Sequence, residues 1–101
     1  MKIKEAQDKV DKIIETYGGY WQPLAMLARL MEEVGELSRA INIKHGEKKS
    51  KGEGDGRDVE KELADVMFTV LAISNTLKID LSKELEEKIE KDLKRNKGIY
   101  H

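Results

Sequence analysis

Two short acidic clusters are the part of this 101-residue sequence best suited to chemistry. The first is Glu32-Glu33-Val34-Gly35-Glu36 and the second Glu62-Leu63-Ala64-Asp65; from Glu33 and from Glu62 both run acid, aliphatic, small, acid. On an α-helix, residues three apart lie about 60° apart around the axis, with Cβ atoms about 5–6 Å from each other. Glu33 projects with Glu36, and Glu62 with Asp65. Around each cluster runs an apolar stripe centred about 70° from the first acid. The acids therefore border the stripe. If the two stripes pack together, four carboxylates converge at the edge of a helical bundle. Like charges in a poorly solvated place repel, and protonation or a cation must relieve them. Oxygen-only donors of this kind suit Mg²⁺, or Mn²⁺ in its place. Di-iron bundles also use helical carboxylates but need Glu-x-x-His pairs, and His45 and His101 are the only histidines.

The same acids have a plainer reading as solvated, ion-paired helix faces. Glu5/Lys9, Asp8/Lys12, Glu84/Lys88 and Glu87/Lys91 are acid-before-base pairs at i,i+4, the favourable order on a helix. Around the clusters the pattern is less tidy. Arg29, Arg39 and Lys61 are available partners, yet Glu32 and Glu36 form a like-charge i,i+4 pair. Spacing alone leaves metal binding and surface ion pairing both open.

Four helical segments must position these groups. A single proline, Pro23, and long stretches of 3/4 apolar spacing give an all-α chain. The first segment, about 3–17, carries Ile3, Ala6, Val10, Ile13, Ile14 and Tyr17 on one face and ends at Gly18-Gly19. The second runs from about Pro23 to Ile43 with Leu24, Leu27, Leu30, Val34, Leu37 and Ile41 as its stripe. The third, about 57–78, has Val59, Leu63, Val66, Val70, Ile73 and Leu77. The fourth follows Asp80 or Ser82 as N-cap, shows Leu85, Ile89 and Leu93, and fades near Asn96-Lys97-Gly98. Residues 44–56, with four glycines and no large apolar side chain, read as a solvated loop joining the two central helices. The expected architecture is a single domain over 1–101, a four-helix-bundle-like subunit with two long central antiparallel helices.

Composition removes several function classes. No cysteine excludes disulfides, cysteine zinc sites and thiol catalysis. Nineteen basic against twenty acidic residues leave a formal net charge of -1, which argues against a nucleic-acid partner. The most apolar segment, Leu63 to Ile73, is too short to span a bilayer and contains Asp65. The opening Met1-Lys2-Ile3-Lys4-Glu5 has no apolar run of the signal-peptide kind. A cytoplasmic, membrane-free protein is the expectation. Met26, Met31, Met67, Phe68 and Leu71 place apolar surface outside the main stripes, more than one small bundle covers, so self-association is expected too.

The doubled acid motif resembles the signature of the MazG-type nucleotide pyrophosphohydrolases, the all-α NTP pyrophosphatase superfamily. That pattern is Glu-Glu-x-x-Glu, a spacer, then Glu-x-x-Asp. Here it stands as Glu32-Glu33-Val34-Gly35-Glu36, the spacer 37–61, then Glu62-Leu63-Ala64-Asp65, and the likeness covers about 21–95. The resemblance implies Mg²⁺-dependent cleavage of nucleoside triphosphates, NTP or dNTP, to the monophosphate and pyrophosphate. It implies Glu33, Glu36, Glu62 and Asp65 as metal ligands, and Glu32 as a further metal contact or the residue orienting the attacking water. Lys91, Lys94 and Arg95 resemble the basic residues that meet the phosphates in such proteins, although a solvated basic helix end accounts for them equally well. Trp21, just ahead of the second segment, is a base-contacting candidate or a packing residue; Asn75 is a further substrate-binding candidate or a cap for a partner helix. Tyr17 and Tyr20 read as packing residues. The resemblance also points to dimers or tetramers. Two alternatives stand beside this reading: a non-enzymatic helical interaction module, and a relative acting on phosphoribosyl-ATP.

Overall fold

The computed structural model of the chain describes residues 1–46 and 58–100, the last five as backbone. Among these, there are four α-helices and no strand: α1 (Ile3–Thr16), α2 (Pro23–His45), α3 (Val59–Thr76) and α4 (Leu81–Tyr100). Each boundary has a local cause. Glu5 reaches back to the Lys2 N–H at the start of α1. Pro23 occupies the first turn of α2, where its missing N–H costs nothing. Asp58 accepts from the Glu60 N–H at 3.1 Å to cap α3, and Asp80, rather than Ser82, accepts from the Lys83 N–H at 3.3 Å ahead of α4. Lys44 and His45 belong to the last turn of α2 and Gly46 is its C-cap; residues 47–56 of the expected loop lie outside the described residues. The fourth helix does not fade at Asn96 but continues to Tyr100.

α1 and α3 end in the same hydrogen-bond pattern with different residues. At the first, the Gly19 N–H bonds Ile14 O at 3.0 Å and the Gly18 N–H bonds Glu15 O at 3.2 Å. At the second, the Ile79 N–H bonds Ser74 O at 2.8 Å and the Lys78 N–H bonds Asn75 O at 3.1 Å. Both are Schellman turns, which require a left-handed residue just past the helix. Gly18 takes it at φ +98°, whereas Lys78 takes it at φ +58° with a side chain attached.

α2 and α3 form the central pair. The Thr76 hydroxyl donates to Met26 Sδ at 3.0 Å, and Lys44 Nζ lies 4.0 Å from Glu60 Oε1. The start of one helix thus meets the end of the other, the antiparallel arrangement expected. α1 packs on α3, and α4 packs on α1. Val10, Met26, Leu71 and Ala72 form the buried core, with Ile3, Ala6, Ile14, Tyr20, Ile73 and Leu81 packed against it.

The buried face of α2 differs from its apolar stripe. Its buried residues are Met26, Glu33 and Ala40, spaced by seven and so nearly in line along the helix. Leu24, Leu27, Val34 and Ile41 of the expected stripe are exposed, as is Met31. On α3 the buried set includes Glu62, Thr69, Leu71, Ala72 and Ser74, while Leu63 and Leu77 are exposed. Glu33 and Glu62 therefore enter the helix–helix contact, while Glu32, Glu36 and Asp65 border it. Small and polar residues line the central contact, and several of the large aliphatics face outward. The α4 stripe of Leu85, Ile89 and Leu93 is likewise exposed. The chain is correspondingly open, with a Cα radius of gyration of 17.0 Å against about 13 Å for a compact domain of this length. Among the described residues no helix is long and apolar enough to cross a membrane.

α1 is fastened to the α3–α4 turn by an amide clasp centred on Gln7. Its buried Nε2 lies 2.8 Å from Ser74 Oγ, 3.1 Å from Asn75 Oδ1 and 2.9 Å from Ile79 O. Its Oε1 accepts from the Leu81 N–H at 3.4 Å, and Asn75 Nδ2 donates to Gln7 O at 2.8 Å. Every group in the clasp is neutral, so burial costs little once the hydrogen bonds are made.

Candidate active site

The antiparallel pairing brings the two acidic clusters face to face. Glu33, Glu62 and Asp65 each offer a carboxylate oxygen, and these three oxygens lie within 4.8 Å of one another. Glu33 and Glu62 are 4% and 8% exposed, whereas Asp65 reaches solvent. Burial raises the Glu33 carboxyl above the ordinary glutamate range; Arg29 opposes the shift, while Glu36, Asp65 and Glu62 add to it. Arg29 Nε lies 3.2 Å from Glu33 Oε1. Glu36, one turn on from Glu33, is half-buried and outside the closest group of three, and Glu32 is exposed.

The donor set fits a hard divalent cation. An octahedral Mg²⁺ holds oxygens at about 2.1 Å, which places neighbouring ligand oxygens about 3–4 Å apart. The three carboxylates approach that spacing with small side-chain adjustments, and they supply only oxygen. Two of the three are already desolvated, so their mutual repulsion makes them receptive to a cation.

Beside the carboxylates opens a cavity of about 470 Å³. Glu33 and Asp65 form part of its wall with Arg29, Thr69 and the aromatic rings of Tyr17, Tyr20, Trp21 and Phe68. The tight turn after α1 explains the aromatic end: Gly18 and Gly19 reverse the chain and carry Tyr20 and Trp21 over the start of α2. Trp21 is 60% exposed and so is available to a ligand, whereas the Tyr20 hydroxyl is held by Asp11. Desolvation first, then the hydrogen bond to Asp11, pushes the Tyr20 phenol up to about 12.

Of the residues singled out in the sequence, Glu33, Glu62, Asp65 and Trp21 come together here. Asn75 does not: its amide belongs to the Gln7 clasp and lines a different, smaller cavity between α1 and the α3–α4 turn. Lys91, Lys94 and Arg95 are exposed on α4 and take no part in the acid-side cavity. Phe68 and Arg29 had not been singled out as site residues. The signal for Arg29 was its i,i+4 spacing from Glu33; Phe68 carried none, because facing a cavity is a tertiary property.

Residues 22–100 match the MazG nucleotide pyrophosphohydrolase domain family. The chain is 40% identical over 99 residues to the uncharacterized protein YpjD of Bacillus subtilis strain 168, covering 97% of this chain and 89% of that one. The crystal structure of YpjD superposes with a TM-score of 0.80 at 38% identity, covering 90% of this chain and 92% of that one. The crystal structure of the Bacillus-conserved MazG protein, a nucleotide pyrophosphohydrolase, superposes with a TM-score of 0.77 at 38% identity, covering 90% and 88%. Fold and sequence agree, and the chain belongs to the MazG nucleotide pyrophosphohydrolase family.

Proposed function

We propose that this protein hydrolyses nucleoside triphosphates to the monophosphate and pyrophosphate with Mg²⁺, acting in the cytoplasm as a single domain over 1–101. The observation that carries the reading is the Glu33/Glu62/Asp65 group, with Glu33 and Glu62 buried and with Glu33 and Asp65 on the wall of an aromatic-lined cavity large enough for a nucleoside. Bound Mg²⁺, or Mn²⁺ in its place, would neutralise the triphosphate and lower the pKa of a coordinated water. Glu33, Glu62 and Asp65 hold the ion, and Glu36 joins them from the next turn of α2. Glu32, exposed beside them, would add a further metal contact or orient the attacking water toward the α,β-phosphoanhydride. Trp21 and Phe68 offer faces for the base to stack on. No protein nucleophile takes part, consistent with a chain that has no cysteine.

The same reading includes a homo-oligomer, a dimer or tetramer. Leu24 is 80% and Met31 69% exposed on α2, and the open stripe of α4 adds to this surface. Large apolar side chains left bare on two helices favour burial against another copy. Assembly is also the route by which Lys91, Lys94 and Arg95 reach a triphosphate, from the α4 of a neighbouring copy.

The test is incubation with Mg²⁺ and a panel of NTPs, dNTPs and phosphoribosyl-ATP, with pyrophosphate as readout. Release from the nucleoside triphosphates supports the reading. Release from phosphoribosyl-ATP alone would replace its substrate, and no release from any of them by folded protein would overturn it.

A further inference from the structure

Arg29 lies on α2 one turn before Glu33, its Nε 3.2 Å from Glu33 Oε1. The two ends of this pair are unlike: the Glu33 side chain is 5% exposed and that of Arg29 50%. The guanidinium thus meets a buried carboxylate from the open side, and it forms part of the cavity wall with Trp21 and Phe68. A half-exposed arginine that borders both the carboxylate and the cavity can exchange one for the other by side-chain rotation. Glu33 is meanwhile one of the three acids whose oxygens lie within 4.8 Å of each other. A guanidinium and a divalent cation on one buried carboxylate repel strongly, because little water separates them. One must give way, and the half-exposed arginine is the mobile partner.

We infer that Arg29 is an exchangeable counter-ion of the acid cluster: it neutralises Glu33 until a divalent cation binds there, then leaves the carboxylate and turns into the cavity to meet the phosphate of the substrate. The inference rests on the metal-assisted reading proposed above. Guanidinium suits both stations, since its planar fork of donors matches carboxylate and phosphate alike. An ordinary i,i+4 helix pair has no second station and adds only slightly to helix stability. What sets Arg29 apart is that its acid is buried and belongs to a group of carboxylates while its own head faces a cavity.

Calorimetry on the full chain separates the two roles, using Mn²⁺ alone and then an α,β-imido nucleoside triphosphate at saturating Mn²⁺. For Arg29→Gln the effects have opposite sign: Mn²⁺ binds on the order of tenfold tighter and the nucleotide on the order of tenfold more weakly, each equivalent to ~1.4 kcal/mol. Arg29→Lys keeps the charge and returns the metal affinity toward that of the wild type. Thermal melts give a second readout: Arg29→Gln lowers Tm in EDTA, and saturating Mn²⁺ closes the gap to the wild type. Unchanged affinities, weakening of both ligands together, or an equal Tm loss with and without Mn²⁺ would each overturn the inference. Wild-type protein that binds neither Mn²⁺ nor nucleotide would instead remove the metal-assisted reading, so the two failures are told apart.

Discussion

The acid pocket between α2 and α3 and the amide clasp between α1 and the α3–α4 turn both bury polar side chains, and they do so in opposite ways. In the clasp, Gln7, Ser74 and Asn75 are neutral, and donors and acceptors are matched by direct hydrogen bonds. In the pocket, Glu33 and Glu62 are buried acids set beside Asp65, and burial, with the neighbouring carboxylates, raises the Glu33 carboxyl above the ordinary glutamate range. The first arrangement fastens helices together. The second sets like charges against one another, a repulsion that a cation would relieve, as the proposed site requires.

The comparison breaks if the acids prove structural. Asp65→Asn and Glu33→Gln are each expected to lower triphosphate hydrolysis at least about 100-fold, since each removes the charge of a proposed metal ligand. In EDTA both variants should melt at or above the wild-type temperature, because like-charge repulsion falls. A lower Tm with activity retained would reverse the assignment. In the clasp the opposite holds. Gln7→Ala takes the amide donor from Ser74 Oγ, Asn75 Oδ1 and the Ile79 carbonyl and should cost about 2–3 kcal/mol in denaturant unfolding. Hydrolysis per folded molecule should stay unchanged; a loss of kcat would couple the two regions.

A smaller effect is expected at Tyr20, which lies between them. Its phenol is raised to about 12 by burial and by its bond to Asp11. A phenol raised on folding favours the folded state fully below its ordinary pKa, and that contribution is lost as pH rises through the folded value. The absorbance titration of wild type minus Tyr20→Phe should therefore centre near 12, and Asp11→Asn should lower it. A midpoint at the ordinary value of about 10 would mean that the contact does not persist in solution. The smallest effect concerns the helix-ending turns. Lys78→Gly removes a side chain from a left-handed residue and should stabilise by about 0.5–1 kcal/mol, bringing the end of α3 to the glycine solution already used after α1. Thermal or urea unfolding checks it.

Much of the fold was legible in one dimension. Gly18-Gly19, Pro23 and Asp80 mark helix ends through backbone geometry and capping, which are local, and the four helices follow from apolar spacing. The end of α4 was misplaced because Gly98 weakens a helix without being obliged to stop it. Gln7 passed unnoticed on an otherwise apolar face, although a glutamine among Ile3, Ala6 and Val10 is a readable sign of a buried hydrogen-bonding role.

The sequence by itself determined the helices, their approximate ends and the types of residue able to hold a metal, because propensity, capping and i,i+3 spacing act between near neighbours. The apolar stripe of α1 did mark its packed face, through Ile3, Ala6, Val10 and Ile14, but tertiary structure alone decided which faces of α2 and α3 are buried. The aliphatic stripe of α2 looked like the core, yet Met26, Glu33 and Ala40 occupy the buried line and several of the aliphatics face outward. A stripe states how much apolar surface a helix offers and not which partner covers it. That choice depends on how closely α2 and α3 approach, and their approach places Glu33 against Glu62 and Asp65.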